Sequence, residues 1–427
     1  MMLCLIEFFM LTDPNVRYVV LGTMLLTGSA AMVGAFALLK KKVLVGDAVA
    51  HATLPGVCLA FLLTGTKHPL YLVLGAFIAG WLALLLMDQL TRRSKLKEDT
   101  AMALVLSVAF GLGLLLLTAI QHTGNAAQVG LQNFLLGKAA ALVSDDLKVL
   151  TLLSLALITM VLLFFKEFTL VAFDKAFAQA SGLPVQRLEL LLTSLTVLAI
   201  VVGIRAVGIL LMAAMLVAPP AAARYWTHHL PTMVLLAAGF GMLAGLVGVL
   251  VSYIAPAMPT GPWIVVVMAL IAYGSFFLAP HKGLLARSMR RRRHRQKVLT
   301  ENILKVFYEL GERDGHYYGG RTLLLLGQHR PLPRYLLWRG LRRLQKQGLV
   351  RCVGAEWSLT AAGKDQGEKI RQLHCLWELY LTQYLKLKAD HVHDDAESME
   401  HIITPALADA LRELVQTDTA EKLDDHA

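Results

Sequence analysis

The chain has 427 residues, 56% of them hydrophobic and only 17% charged, with a formal net charge of +11 and a mean hydropathy of +0.58. Soluble domains carry roughly a quarter charged residues, so an ordinary globular enzyme filling this length is excluded. The charge is also uneven: residues 16–280 run long stretches with almost none, and residues 281–427 are rich in it, which asks for two parts in two solvents.

Met1 to Leu11 is apolar but has no basic n-region and no small-residue cleavage site, so an interfacial lead-in is expected rather than a cleaved signal. A crossing needs about 20 apolar residues, and backbone in hydrocarbon must satisfy its own hydrogen bonds, which favours helices. Nine spans are predicted, near 16–39, 43–65, 69–90, 101–120, 147–165, 187–204, 207–226, 231–254 and 262–279. The short stretch 126–142, punctuated by Gly and Ala, is expected to be a re-entrant helix. Under this count Lys40–Lys42, Arg92, Arg93, Lys95, Lys97, Lys166, Lys175, Arg187, Arg224 and the basic run 282–297 share one side. Lys67, Arg205 and the loop 121–130 face the other. The positive side is cytoplasmic, which puts the N-terminus outside and the C-terminal part in the cytosol of a multi-pass bacterial plasma-membrane protein. Small residues at Gly241, Gly245 and Gly248, or Ala76 and Gly80, have the spacing that lets helix backbones approach.

The polar segment KEFTLVAFDKAFAQASGLPVQR, Lys166 to Arg187, lies on the cytoplasmic side. A short amphipathic helix is expected over Phe173 to Ala180, ended by Gly182-Leu183-Pro184. It suits a lid or a docking handle. The membrane part has no G-x-x-x-x-G-K-[ST], so nucleotide hydrolysis would come from a separate subunit. The run Lys282, Arg287, Arg290–Arg293, Arg295 and Lys297 is read as an anchor on anionic lipid, with nucleic acid as the alternative. Beyond it, helical periodicity covers 300–312, 320–328, 334–347, 360–386 and 395–416, and GLVRCVGAEWSLT reads as a two-stranded wing. Helices with a wing suggest a winged helix-turn-helix. The cysteines, Cys4, Cys58, Cys352 and Cys375, form no CxxC and imply no disulfide framework.

Two constellations could carry chemistry. Asp47 and His51 lie four apart in the second span, on one helix face. A carboxylate inside a membrane is costly and marks a pathway, and carboxylate with imidazole suits Mn(II), Zn(II) or Fe(II). One pair supplies two ligands; a second copy of the chain would supply four. The plainer alternative is an Asp at headgroup level beside a His in an interhelical hydrogen bond. In the C-terminal part His374 and Glu378 are again four apart, and HDDAESMEH brings His393, Glu397, Glu400 and His401. Histidines and carboxylates from separate helices make a first-row metal site; the alternative is a solvated acidic face. His122, the pair His228 and His229, and the methionines Met212 and Met215 are weaker candidates, better explained by loops, a helix end and packing.

GDAVAHATLPGVCLAFLL, Gly46 to Leu63, resembles the GDxxxHxxLPG signature of the zinc/manganese/iron ABC permease family. FDKAFAQASGLPV resembles that family's ATPase-coupling loop, and AVGILLMAAMLVAPPAAARYW and PTGPWIVVV match two further blocks in order, over about 16–280. The resemblance implies a paired permease, an ABC ATPase subunit docked on Phe173, Asp174, Ala178 and Gly182, and an extracytoplasmic metal-binding lipoprotein. It makes Asp47 and His51 transit ligands. Pro219-Pro220 departs from it where one proline is expected. YELGE, the wing, LHCLWELYL and HDDAESMEH resemble DtxR-type metal-dependent repressors over about 298–416. That implies one site from His374, Glu378 and His393 and most of a second from Glu397, Glu400 and His401. Asn302 stands where that family has Met or Asp. Arg334, Arg339, Arg342 and Arg343 could hold DNA phosphates, but Leu336, Leu337 and Trp338 replace polar base-reading residues.

The expected architecture is an all-α polytopic membrane bundle with a C-terminal cytosolic winged helix-turn-helix and helical metal-binding region. The domains expected are a permease at 1–280, a basic linker at 281–297, a winged helix at 298–362, a metal-binding and dimerisation region at 363–416 and a tail at 417–427. The function expected is an ABC importer permease, not itself an enzyme, with a divalent metal as substrate and regulatory ligand. A membrane-tethered or proteolytically released regulator and an ion-coupled secondary transporter are the alternatives.

Overall fold

The structure, a computed structural model, describes residues 8, 14–40, 43–66, 68–122, 144–209, 212–255, 258–329, 332–383 and 409. The predicted re-entrant helix 126–142 and the cluster His393, Glu397, Glu400 and His401 lie outside the described residues. The chain divides into two units, Met1–Arg287 and Ser288–Ala427.

The first unit is all helix. In chain order it holds α1 (Pro14–Leu39), α2 (Val43–Ala52), α3 (Leu54–Thr64), α4 (Pro69–Arg93), α5 (Glu98–His122), α6 (Ser144–Leu163), α7 (Phe165–Phe173), α8 (Lys175–Ala180), α9 (Val185–Val207), α10 (Met212–Trp226), α11 (Leu230–Ile254) and α12 (Thr260–Leu278). Among the described residues seven helices are long and apolar enough to cross a membrane, or eight if the pair α6–α7, bent by 66°, is one crossing. The edges of Phe165 and Phe168 against Phe36, at 5.7 and 5.8 Å, pack that elbow onto α1.

The count differs from nine because 207–226 is not one full span. Gly208 takes a φ of 88°, open to glycine at little cost, and α9 ends there. The helix that resumes, α10, has 15 residues, about 22 Å at 1.5 Å per residue, against roughly 30 Å of hydrocarbon.

Apolar lipid gives helices little hydrophobic reason to associate, so close backbone approach and satisfied polar groups must hold them. The small residues do this. A side chain on Gly56 would meet the Gly75 backbone, and one on Gly75 the Gly56 backbone, where α3 crosses α4. Gly241 lies against the Thr27 backbone and Gly248 against Ile264, so α11 packs closely on α1 and α12. Buried hydroxyls bond their own helix: Thr23 Oγ1 donates to the Val19 carbonyl at 2.7 Å and Thr27 Oγ1 to that of Thr23 at 2.8 Å. Pro220 has no N–H for the Leu216 carbonyl four residues back; that oxygen faces Gly34, where any Cβ would collide with it. The second proline of the departure thus sits at a tight α1–α10 crossing.

The second unit contains most of α13 (Leu284–Asp314), then β1 (Arg321–Thr322), α14 (Leu323–His329), α15 (Arg334–Lys346), β2 (Val350–Val353), β3 (Glu356–Leu359) and α16 (Ala361–Gln383). The basic run expected as a linker is helical within α13. Arginine and lysine are good helix formers, and Lys297 pairs with Glu301 one turn on, at 3.7 Å. The wing is a three-stranded antiparallel sheet in the order β1-β3-β2, with Val353 opposite Glu356 around Gly354 at φ 62°. Ile303, Leu304, Phe307, Leu337, Leu341, Leu344, Val350, Trp357 and Leu359 form its core. Thr360 caps α16, its Oγ1 accepting from the Gly363 amide at 3.1 Å.

Candidate functional sites

Asp47 and His51 lie on α2, which packs against α4, α5, α9 and α10. Ala48, Val49, Ala50 and Ala52 are buried around them, and Gly80 of α4 gives room to Val49 and Thr53. The α2 ladder is interrupted just beyond: Pro55 has no N–H to give the His51 carbonyl, so helix restarts at Leu54. His51 Nε2 stands 3.6 Å from Asp47 Oδ1. The His51 ring meets Phe110 of α5 edge-on, centroids 4.8 Å apart, and its Nδ1 is buried with no hydrogen-bond partner among the described residues. The Asp47 side chain is 42% exposed against 12% for His51. The two donors therefore face one place, the acid open and the imidazole sheltered. Donor atoms this close can both reach one ion at bonds of about 2.0–2.2 Å.

The loop candidates fall at a junction rather than in one helix. Phe173 ends α7 and Asp174 is the N-cap of α8, its carboxylate accepting from the Phe177 amide at 2.9 Å. That is why helix does not run through from Phe173 as expected. Ala178 is fully buried, while Phe173 and Phe177 are 67% and 58% exposed. Gly182, φ 78°, stops α8, and the Leu183 amide returns to the Ala178 carbonyl at 3.1 Å. Glu189 of α9 holds this loop, bonding Lys175 at 2.9 Å and Lys40 at 3.4 Å. Glu189 was not singled out from sequence, since nothing local marks the carboxylate that two distant lysines will share.

In the second unit His374 and Glu378 do meet, His374 Nε2 to Glu378 Oε1 at 3.0 Å, with His374 fully buried. The third member was missed. Lys305 of α13 is 4% exposed and its Nζ lies 3.0 Å from His374 Nδ1. One turn earlier Asn302 is also buried, with Oδ1 lacking a hydrogen-bond partner among the described residues. The available signal was spacing: Lys305 follows Asn302 by three and shares its helix face. No group of three or more His, Cys, Asp or Glu that could hold a metal occurs among the described residues.

On α15, Arg334, Arg339, Arg342 and Arg343 are exposed. Leu337 is core, and Trp338 is exposed with the Arg342 guanidinium 3.9 Å over its ring. Of the weaker candidates, His122 is exposed at the end of α5 and Met212 and Met215 are fully buried packing residues. His228 sits in an exposed turn, where the Lys282 ammonium, with smaller contributions from the little desolvation there, His281 and His229, holds its imidazole below the usual range. That cationic neighbourhood disfavours a metal ion.

Comparison with known proteins adds the following. The family described as ABC 3 transport family matches residues 12–279. Iron dependent repressor, metal binding and dimerisation domain matches 360–421. The chain is 39% identical over 378 residues to the manganese transport system membrane protein MntC of Bacillus subtilis, covering 88% of this chain and 86% of that one. That match is longer than the membrane unit and so runs on into the second. It is 44% identical over 282 residues to the zinc transport system membrane protein TroC of Treponema pallidum, covering 66% of this chain and 95% of that one. Among solved structures it is similar to PsaBC from Streptococcus pneumoniae in complex with Fab, at 29% identity and a TM-score of 0.60, over 67% of this chain and 99% of that one.

Proposed function

The chain belongs to the ABC 3 transport family, and from that membership we propose that it is the permease of an importer that carries Mn(II), Zn(II) or Fe(II) past Asp47 and His51. It is a multi-pass membrane protein, a transport permease rather than an enzyme, with a fused domain of the iron-dependent repressor type. The observation that carries the transit reading is His51: an imidazole in a packed span, one nitrogen beside a carboxylate and the other buried without a partner among the described residues. An unpaired buried polar atom costs free energy, and a passing cation gives the pair a use.

ATP would be hydrolysed by a separate subunit docked on α8, and the exposed Phe173 and Phe177 support that handle. Ala178 buried beneath and Gly182 ending the helix would shape it. A lipoprotein would deliver the ion from outside, and a second permease copy or a relative would complete the pathway. Lys40 and Lys175 both reach Glu189, so they share one end of the bundle; with the positive-inside rule this favours α8 in the cytoplasm, the N-terminus outside and the second unit in the cytosol.

For the second unit we propose a regulatory metal with Glu397, Glu400 and His401 among its ligands. Asn302 Oδ1, buried without a hydrogen-bond partner among the described residues, supports a cation-facing role for that side chain. Arg334, Arg339 and Arg343 are offered to phosphate, so DNA is a further proposed partner.

The test is uptake of radiolabelled Mn(II) and Zn(II) by cells expressing the chain with its ATPase and lipoprotein. Asp47→Asn and His51→Ala should each cut uptake by about 10–100-fold or more, the scale on which metal sites respond to lost support, while the protein remains in the membrane. Uptake at the unmodified rate in either variant rejects the reading. Uptake that survives an inactive ATPase and collapses with the proton gradient would point to an ion-coupled carrier instead.

A further inference from the structure

The domain matched at 360–421 implies bound metal, and His374 with Glu378 is its described candidate pair. The chemistry around His374 does not fit one. We propose that Lys305 stands in for a metal ion at His374, so that Lys305, His374 and Glu378 form an ion triad and this pair binds no divalent cation.

The geometry comes first. Lys305 on α13 and His374 on α16 are 69 residues apart, yet Nζ lies 3.0 Å from Nδ1, and on the other side of the ring Nε2 lies 3.0 Å from Glu378 Oε1. Lys305 and His374 are 4% and 0% exposed, so water does not separate them. An ammonium has three donors and no acceptor. Nδ1 must therefore accept from Lys305, which places the ring hydrogen on Nε2, where it donates to Glu378.

A metal-binding histidine divides its two nitrogens between two tasks. One nitrogen gives its lone pair to the ion and the other donates its N–H to an acceptor. Bound through Nε2, the ion would force a hydrogen onto Nδ1, facing the Lys305 donor. Bound through Nδ1, it would occupy the space Nζ already fills. In either case two like charges would sit a few ångströms apart with little water between them. Lysine supplies what the ion would have supplied, a positive charge against the histidine and carboxylate of α16.

The test uses the full chain in detergent, titrated with Co(II), with bound ions counted per chain and d–d absorption recorded. The residues proposed for the transport pair and the second cluster are unaltered in every variant, so differences report this site. His374→Gln and Glu378→Gln are expected to leave the ion count of the unmodified chain unchanged; Glu378 is partly exposed and keeps the measurement informative if His374→Gln does not fold. Loss of one ion in either variant overturns the proposal. Lys305→Glu is expected to gain one ion per chain, with a new imidazole-bound Co(II) spectrum that disappears in Lys305→Glu/His374→Gln. A folded Lys305→Glu that gains no ion overturns the claim that Lys305 is what excludes it.

Discussion

At the scale of single residues, the proposed membrane site depends on groups that differ in how far sequence could reveal them. Asp47 and His51 were legible because a four-residue step on a helix puts two side chains on one face whatever the rest of the fold does. Phe110 and the orphaned Nδ1 were not, because both depend on how α5 meets α2. Lys305 was hidden more deeply: within NILKVF it reads as an exposed cation, and only the arrival of α16 buries it against His374. Glycine is similarly informative only after folding. At Gly34 any side chain would meet the Leu216 backbone oxygen, which cannot move aside as a flexible side chain could. Gly34→Ala should cost about 1–3 kcal/mol, the range for overpacked cores, seen as a lower midpoint of thermal unfolding in detergent. Gly239→Ala, where the space is open, should leave that midpoint nearly unchanged; equal shifts would dismiss the crowding argument.

Among elements, the short helix α8 shows what periodicity reads well and badly. Its existence and its stop at Gly182 followed from the run FDKAFAQASGLP, but its start did not, since an Asp can continue a helix or cap one. Asp174→Ala removes the bond to the Phe177 amide and should destabilise the helix by about 1 kcal/mol. Co-purification of the ATPase should weaken more in Phe177→Ala than in Asp174→Ala if the exposed ring is the contact. The reverse order would make α8 a spacer. The short α10 was misread as a full span for a related reason: hydropathy sums over 207–226 and ignores what Gly208 does to the backbone. If α15 holds DNA phosphates as proposed, Arg339→Gln with Arg343→Gln should weaken binding to any duplex alike and lower the salt slope by about two. A mobility-shift assay showing loss on one sequence alone would instead favour base reading.

For the whole molecule, charge alone suggests two parts in two solvents, and the chain forms two compact units, Met1–Arg287 and Ser288–Ala427. What composition could not supply is the packing order, because between spans in lipid the deciding contacts are glycine faces and backbone oxygens, not apolar surface. If the second unit restrains transport when its metal is bound, a chain ended after Arg287 should import Mn(II) at the same initial rate and fail to slow as cells fill with it. Uptake that slows identically in both chains would leave the second unit a role outside transport control.

Glu189 serves two ammonium groups at once, one ending the first span and one in the loop. Such a latch is electrostatic and partly wet, with side chains 17–54% exposed, so dissolved ions loosen it where greasy contacts hold firm. Turnover by this transporter should therefore sag with rising salt on the loop side long before the helices themselves come apart.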